Sequence, residues 1–347
     1  MIRASLAATT ALLTLSLLGA CSKSVDPPMT TAQAQLDAAM ACTPFEHPDK
    51  PPVLLVHGTF FSGVEQYTLF YAPQLVAMGY DVCIVTYPDR GLGDLQVSAE
   101  YVANALQSIH AQTGRKVAMI GHSQGATMPR WALKFFPTAR EAVSDFVLLA
   151  GPNHGTTVAL PFDVVSDLLV GLGLGELPVG ALPEALYQFA PDANFIAALN
   201  AGDETPGDVD YTSIYTQFDE LVQPVAPVPT AALDFGQGNH KVNNILIQDI
   251  CPGYPTEHGT IGTSDPVAFA LAIDAISHDG PADIERAGGA AGLCGLLPVD
   301  VTALLQAPVV SGLLAIVAEI VASGVPDAHL ATAEPPLMPY AVGELRP

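Results

Sequence analysis

Short apolar runs alternate with stretches of helical spacing along most of the chain. Pro52-Val53-Leu54-Leu55-Val56 is uninterrupted apolar sequence, the pattern of a strand covered on both faces in a parallel sheet. Helical periodicity follows from Glu65 to Met78, and Asp81 to Tyr87 then reads as a strand stopped by Pro88-Asp89-Arg90-Gly91. Helical spacing resumes from Val97 to His110 and closes at Thr113-Gly114. Val117 to Gly121 is the next apolar run, followed by Met128, Trp131, Ala132, Phe135 and Phe136 at helical intervals. Asp145–Ala150, Tyr211–Thr216 and Asn244–Ile247 continue the series of strands, with a helical run from Pro266 to Ile276. Strands alternating with helices predict βαβ units and an α/β fold, a mostly parallel central sheet flanked by helices. No internal repeat is visible, and no break suggests a second domain. Ligands of such sheets lie beyond the carboxyl ends of the strands, where the polar residues of these runs fall.

Three segments depart from this rhythm. Between Gly151 and Asn200 the apolar pieces are short and broken by Gly and Pro, so residues about 155–205 read either as a small helical cap over the strand ends or as a plain layer of core helices. Val299 to Val325 is apolar and long enough for a membrane span, but Asp300, Gln306, Pro308 and Glu319 interrupt it. At the start, Arg3 and the apolar Leu6 to Leu18 have the form of a signal peptide over residues 1–20. Leu18-Gly19-Ala20-Cys21 resembles the lipobox of bacterial lipoproteins, which implies lipidation of Cys21 and, with Ser22 next, the outer membrane of a Gram-negative cell. The alternative is an ordinary signal peptide with a coincidental cysteine. Residues 21–40, polar and small with prolines, are expected to be a tether.

Composition narrows the partners. Of 347 residues, 50% are hydrophobic and 14% charged, so a sizeable core is expected rather than disorder. A net charge of −23 with only 12 Lys and Arg makes nucleic acid and anionic lipid surfaces poor partners. It suits a neutral substrate whose acid product is repelled, or simply a solvated acidic surface. Besides Cys21, the cysteines are Cys42, Cys83, Cys251 and Cys294. Four in an exported chain predict two disulfides with three connectivities open, and the absence of C-x-x-C spacing argues against a metal.

The chemistry centres on Gly121-His122-Ser123-Gln124-Gly125, which fits G-x-S-x-G between a strand and a helix. In a nucleophile elbow the serine occupies a sharp turn, the glycines make room, and the helix N-terminus points at the substrate oxygen. The bland alternative is a surface turn that contains Gly and Ser. A serine nucleophile needs a base, and the base needs an acid, in the chain order Ser, Asp or Glu, His. Asp219 follows a late strand, with Glu220 as its neighbour and alternative; Asp208 and Asp210 precede that strand. The histidines beyond it are His240, His258, His278 and His329. His258 lies in a Gly/Thr-flanked loop before a helical run and is the preferred base, with His240 second. Oxyanion donors are expected from the N–H of Gln124 and the backbone N–H of Thr59, whose hydroxyl offers a third bond. His57 and His154 are expected to pack and support loops.

With these residues in place the chain resembles the α/β-hydrolase lipases over roughly Cys42 to Tyr340. The likeness is carried by Ser98–Ala105, by Ser123-Gln124-Gly125 leading to Trp131–Pro137, by Asp219–Pro224, by Cys251–His258 and by Leu337–Ala341. The resemblance implies an α/β-hydrolase catalytic domain over 41–347, with Asp219 as acid, His258 as base, and Thr59 and Gln124 as oxyanion donors. It implies a substrate pocket that includes His122 and Phe60, disulfides Cys42–Cys83 and Cys251–Cys294, and an apolar helix near 299–325 at the pocket mouth, the alternative for that stretch being a packed C-terminal core helix. A yeast member carries Trp immediately before its serine, where this chain has His122, so its alcohol selectivity does not carry over. That member's third disulfide and its lack of a lipobox are further differences. The expectation is a monomeric, exported serine lipase or carboxylesterase of neutral hydrophobic esters, acylglycerols foremost, with no metal or cofactor. A polyester depolymerase or acyltransferase shares the same triad; a non-catalytic surface lipoprotein is the reading from another class.

Overall fold

Runs such as Val53–Val56 become central strands because all four side chains are buried, two on each face. The computed structural model describes residues 25–159, 181–233, 241–296 and 329–345. Within them a seven-stranded sheet runs in the order β1-β3-β2-β4-β5-β7-β8. The strands are β1 (Met40–Cys42), β2 (Val53–Val56), β3 (Val82–Val85), β4 (Val117–His122), β5 (Val143–Leu149), β7 (Asp210–Tyr215) and β8 (Val242–Leu246). All neighbours are parallel except β1, which lies antiparallel on β3. A small separate ribbon pairs β6 (Leu182–Pro183) with β9 (Leu330–Ala331). Val56 stands opposite Gly121, so β2 and β4 end level and the loops leaving them lie side by side.

Helices cover both faces. The expected helix over 65–78 is two, α2 (Gly63–Tyr67) and α3 (Tyr71–Ala77), after α1 (Gln33–Ala38). Phe70, at φ −136° and ψ −66°, separates them. On the opposite face lie α4 (Leu95–Thr113) and α5 (Gln124–Phe135). Asp94 caps α4 through the Gln96 N–H, and Gly114 ends it at φ 68°, a conformation costly for residues with a Cβ. Trp131 of α5 is fully buried, stacked 4.6 Å from Phe195, and donates its Nε1–H to the Tyr340 hydroxyl at 3.1 Å. Large side chains of this kind each contribute about 1.5–3 kcal/mol on burial.

One expectation changes. Residues 25–40 are not a tether but part of the domain. Glu100 is buried in α4, and its carboxylate needs donors: the Thr30 and Thr31 N–H groups supply them at 2.7 and 2.8 Å. Leu36 of α1 enters the core, and β1 extends the sheet. In the cap segment, the helix Asn194–Asn200 buries Phe195, Ile196 and Leu199 against the α5 side of the core. Residues 160–180 of that segment, the apolar stretch 299–325, His240, and the leader with Cys21 lie outside the described residues.

The disulfides pair Cys42 with Cys83, which face each other across β1 and β3, and Cys251 with Cys294. These are the pairings the resemblance implied, and such bonds belong to an oxidising, extracytoplasmic compartment. Among the described residues no helix is long and apolar enough to cross a membrane, and no metal-binding group of His, Cys, Asp or Glu is present.

Candidate active site

Ser123 sits between β4 and α5 at φ 55° and ψ −120°, a conformation a serine adopts only under constraint, at about 1–3 kcal/mol. Its N–H is tied to the Leu149 carbonyl at 2.8 Å. The flanking glycines are required by close approach of backbone. A Cβ at Gly121 would lie 1.8 Å from the Gly125 carbonyl oxygen, and one at Gly125 would lie 2.1 Å from that of Val56. The chain leaving β2 is therefore pressed against the turn that carries the serine.

Asp219 and His258 converge on Ser123 from the loop after β7 and from a four-residue helix, His258–Ile261. His258 Nε2 lies 3.0 Å from Ser123 Oγ, and its Nδ1 lies 2.9 Å from Asp219 Oδ2. A carboxylate accepts, so Nδ1 carries the proton and Nε2 presents a lone pair to the serine hydroxyl. Asp219 Oδ1 accepts from the Leu221 and Val222 N–H groups at 3.0 and 2.7 Å, which fixes the carboxylate plane. Both side chains are buried. Glu257 caps the short helix, bonding the Gly259 and Thr260 N–H groups, and Glu220 accepts the His258 backbone N–H at 3.3 Å. Glu220 thus serves the backbone of His258 while Asp219 serves its ring. His278 and His329 stand elsewhere, beside Asp274 and Asp89.

Two backbone N–H groups near the serine, those of Gln124 and Thr59, are the expected oxyanion donors. Gln124 begins α5, so its N–H has no acceptor within the helix. Along the loop after β2, the Gly58 N–H bonds Gln66 Oε1 at 2.7 Å and the Phe60 N–H bonds the Arg90 carbonyl at 2.8 Å. Among the described residues the Thr59 N–H between them has no protein acceptor. The Thr59 hydroxyl donates to Gln124 Oε1 at 2.7 Å, so a third bond to an oxyanion requires it to leave that partner. His57 stacks on Tyr87 at 3.8 Å, and burial lowers its pKa to about 4; it packs the loop as a neutral ring. His154 bonds Glu204 at 2.6 Å, away from Ser123.

His122 is buried beside His258, with ring centres 4.8 Å apart. Burial, then the neighbouring His258, lower its pKa to about 3. It is therefore neutral at working pH, and its Nε2–H donates to the His258 carbonyl at 2.8 Å. Gly262 leaves space for this ring, since a Cβ there would lie 2.0 Å from it. His122 and Phe60 line a cavity of about 400 Å³ together with Ser123, Leu186, Phe189 and Val222, a largely apolar wall over the serine. Sequence reasoning missed Gln66, Arg90 and Gly262, which support the loops from a distance. Only the Ser62/Glu65 capping box, S-x-x-E at the start of α2, carries a local signal.

A serine on a constrained turn, an imidazole hydrogen-bonded to both it and a buried carboxylate, and neighbouring N–H groups without a protein acceptor form a constellation suited to acyl transfer. The profile of the lipase (class 2) family matches residues 50–237. Lipase B of Pseudozyma antarctica is 29% identical over 323 residues, 91% of this chain and 86% of that one. A triacylglycerol lipase of Pseudomonas fragi is 26% identical over 140 residues, covering 40% of this chain and 46% of that one. The crystal structure of Aspergillus fumigatus lipase B superposes with a TM-score of 0.76 at 29% identity, covering 91% of this chain and 73% of that one. With the family profile spanning more than half its length, the chain belongs to the class 2 lipases and is a carboxylic ester hydrolase of α/β-hydrolase fold.

Proposed function

We propose that this enzyme is a serine lipase of neutral hydrophobic esters, acylglycerols foremost, acting through an acyl-enzyme on Ser123. The observation that carries the reading is the hydrogen-bonded line from Ser123 through His258 to Asp219, lying under an apolar cavity. His258 Nε2 takes the hydroxyl proton as Oγ attacks the ester carbonyl carbon. Asp219 keeps the proton on Nδ1 and stabilises the imidazolium that forms. The Thr59 and Gln124 N–H groups donate to the oxyanion, each worth roughly 10²–10³ in rate. His258 then protonates the departing alkoxide, and water, deprotonated by the same imidazole, releases the acid. An apolar wall and a net charge of −23 favour neutral substrates over anionic ones.

Export with lipidation of Cys21 completes the proposal. Incorporation of an alkyne fatty acid in a bacterial host, abolished by Cys21→Ala, is the expected result; equal labelling of both proteins refutes the anchor. The catalytic reading is tested by hydrolysis of p-nitrophenyl esters from C2 to C16, using protein that begins after Cys21, beside Ser123→Ala. Wild type is expected to turn over and the variant to lose several orders of magnitude. Equal inertness of both on every ester would remove the reading.

A further inference from the structure

We propose that Arg90 is a positioning residue for the oxyanion hole, holding the Thr59 N–H in its donating orientation by clamping the next residue, Phe60, from both sides. The proposal rests on the serine-hydrolase reading above. Phe60 has φ 73°, a left-handed conformation that is a genuine outlier for a bulky side chain and persists only where surroundings impose it. Two of the bonds that impose it come from Arg90. Its carbonyl accepts the Phe60 N–H at 2.8 Å, and its Nη1 donates to the Phe60 carbonyl at 3.2 Å.

The clamp is itself braced. Arg90 Nη1 pairs with Glu65 Oε2 at 2.6 Å, with the two side chains only 9% and 3% exposed. The same Glu65 oxygen accepts the Ser62 N–H at 2.6 Å, so loop and helix α2 share one carboxylate. The turn that delivers Arg90 is strained as well: Asp89 and Arg90 have φ of 54° and 55°, ahead of Gly91 at 70°, which glycine adopts freely. At Gly91 a Cβ would lie 2.7 Å from the side chain of Gln124, whose backbone is the second candidate donor. The loop after β3 therefore touches both halves of the hole while lining none of the cavity over Ser123. With the Gly58 N–H held by Gln66 and the Phe60 N–H by Arg90, the Thr59 peptide between them has little freedom to rotate. An oxyanion hole acts through donors already oriented before charge develops, so loosening this clamp acts on the transition state more than on substrate binding.

Arg90→Lys keeps a cation but replaces the rigid guanidinium, whose Nη1 serves both Glu65 and the Phe60 carbonyl, with a shorter flexible stem whose ammonium does not reach both in the same geometry. The expected result is a fall in kcat of roughly 10–100-fold with KM within about twofold. Affinity for phenylboronic acid, whose Ser123 adduct presents a tetrahedral oxygen to the donors, should fall by the same factor. The pH profile should stay close to wild type, while the melting temperature should fall by several degrees as the buried pair is loosened. If Arg90→Lys yields no folded protein, Glu65→Gln leaves Arg90 in place and should show the same pattern at roughly three- to tenfold. Unchanged kcat in a folded variant overturns the proposal. So does a fall in kcat without weaker boronate binding, because that pattern belongs to a merely structural role. Wild-type turnover and its loss in Ser123→Ala test the hydrolase reading separately, so an active wild type with an indifferent Arg90→Lys removes only the role of Arg90.

Discussion

Asp219→Asn preserves volume, removes one charge, and makes a prediction whose size follows from the bonds of the carboxylate. Oδ1 accepts two backbone N–H groups, from Leu221 and Val222, and Oδ2 accepts the His258 Nδ1–H. An amide has one accepting and one donating end. If its NH2 faces the backbone, two buried N–H donors lose their acceptor at about 1–3 kcal/mol each. If its oxygen stays there, the NH2 points at His258 and only the ring bond must change. The second orientation is favoured by about 2 kcal/mol even after the ring bond is set against it. His258 then accepts at Nδ1 and carries its proton on Nε2, turning a donor toward Ser123. At about 1.4 kcal/mol per decade, the tautomer able to act as base falls to about one part in thirty. Loss of the charge that stabilises the imidazolium adds about 4 kcal/mol for unit charges 4 Å apart at an effective dielectric of 20, about a thousandfold. Together kcat should drop about 10⁴–10⁵-fold. The assay is p-nitrophenyl butyrate hydrolysis with active-site titration and a thermal melt. A folded Asp219→Asn enzyme that keeps a tenth of wild-type activity refutes the reasoning. Glu220 would then be the acid, and Glu220→Gln in that background would abolish the remainder, whereas Glu220→Gln alone is expected to leave the rate nearly unchanged.

Three further outcomes are expected. Burial, with Asp210 and Asp279 nearby, raises Asp145 to about 7, so the folded state holds a proton that the unfolded state releases near pH 4. Stability from this group is therefore full below about pH 4 and lost as pH rises to about 7, on the order of 4 kcal/mol, and Asp145→Asn should raise the melting temperature at pH 8 but not at pH 4; an equal gain at both contradicts it. Gly125→Ala should cost several kcal/mol or unseat the loop after β2, because both nearest atoms, 2.1 and 2.4 Å away, are backbone oxygens. Gly114→Ala, with nothing within 4 Å but φ 68°, should cost only about 1–2 kcal/mol, and denaturant melts showing no difference between the two would count against the packing argument. His122→Phe loses the N–H to the His258 carbonyl and should lower kcat about fivefold, at about 1 kcal/mol for one bond. The acid limb of its pH–rate profile should not move, since His122 is neutral above about 3; a shift of a full unit would show that His122 carries charge.

What the sequence made legible follows from where each residue's constraint lies. The runs 53–56 and 117–121 could be recognised because strands covered on both faces have no choice but to be apolar or small. Strand β1 could not: two of its three residues are exposed, and its place is set by the disulfide and by pairing with β3. Residues 25–40 looked like a linker because the partner that orders them, Glu100, is seventy positions away from Thr30. Ser123 and its glycines carry a local signature, since the turn itself demands them. Asp219 and His258 were reachable through chain order and resemblance, but the choice of His258 over His240 was not forced by spacing alone. Arg90 and Gln66 bond partners 30 and 8 residues away through geometry that no propensity encodes, and Phe is a poor residue for the left-handed turn it occupies.

That last mismatch is part of a pattern. Among the described residues the non-glycine positions with positive φ are Phe60, Asp89, Arg90, Ser123 and Ala150. Each follows the carboxyl end of one of four strands that lie together in the sheet: Phe60 after β2, Asp89 and Arg90 after β3, Ser123 after β4, Ala150 after β5. At about 1–3 kcal/mol each, five such residues cost an appreciable fraction of a typical domain's net stability. The sheet beneath can sustain that cost because β2, β4 and most of β5 are buried and, from Ala118 onward, pair in unbroken parallel register. Ordinary loops would relax toward unstrained turns and let the Thr59 and Gln124 peptides rotate. In the proposed mechanism a rigid sheet, strained where these strands end, keeps Ser123 and the Thr59 and Gln124 N–H groups aimed before substrate arrives, and removing the strain would trade that aim for stability.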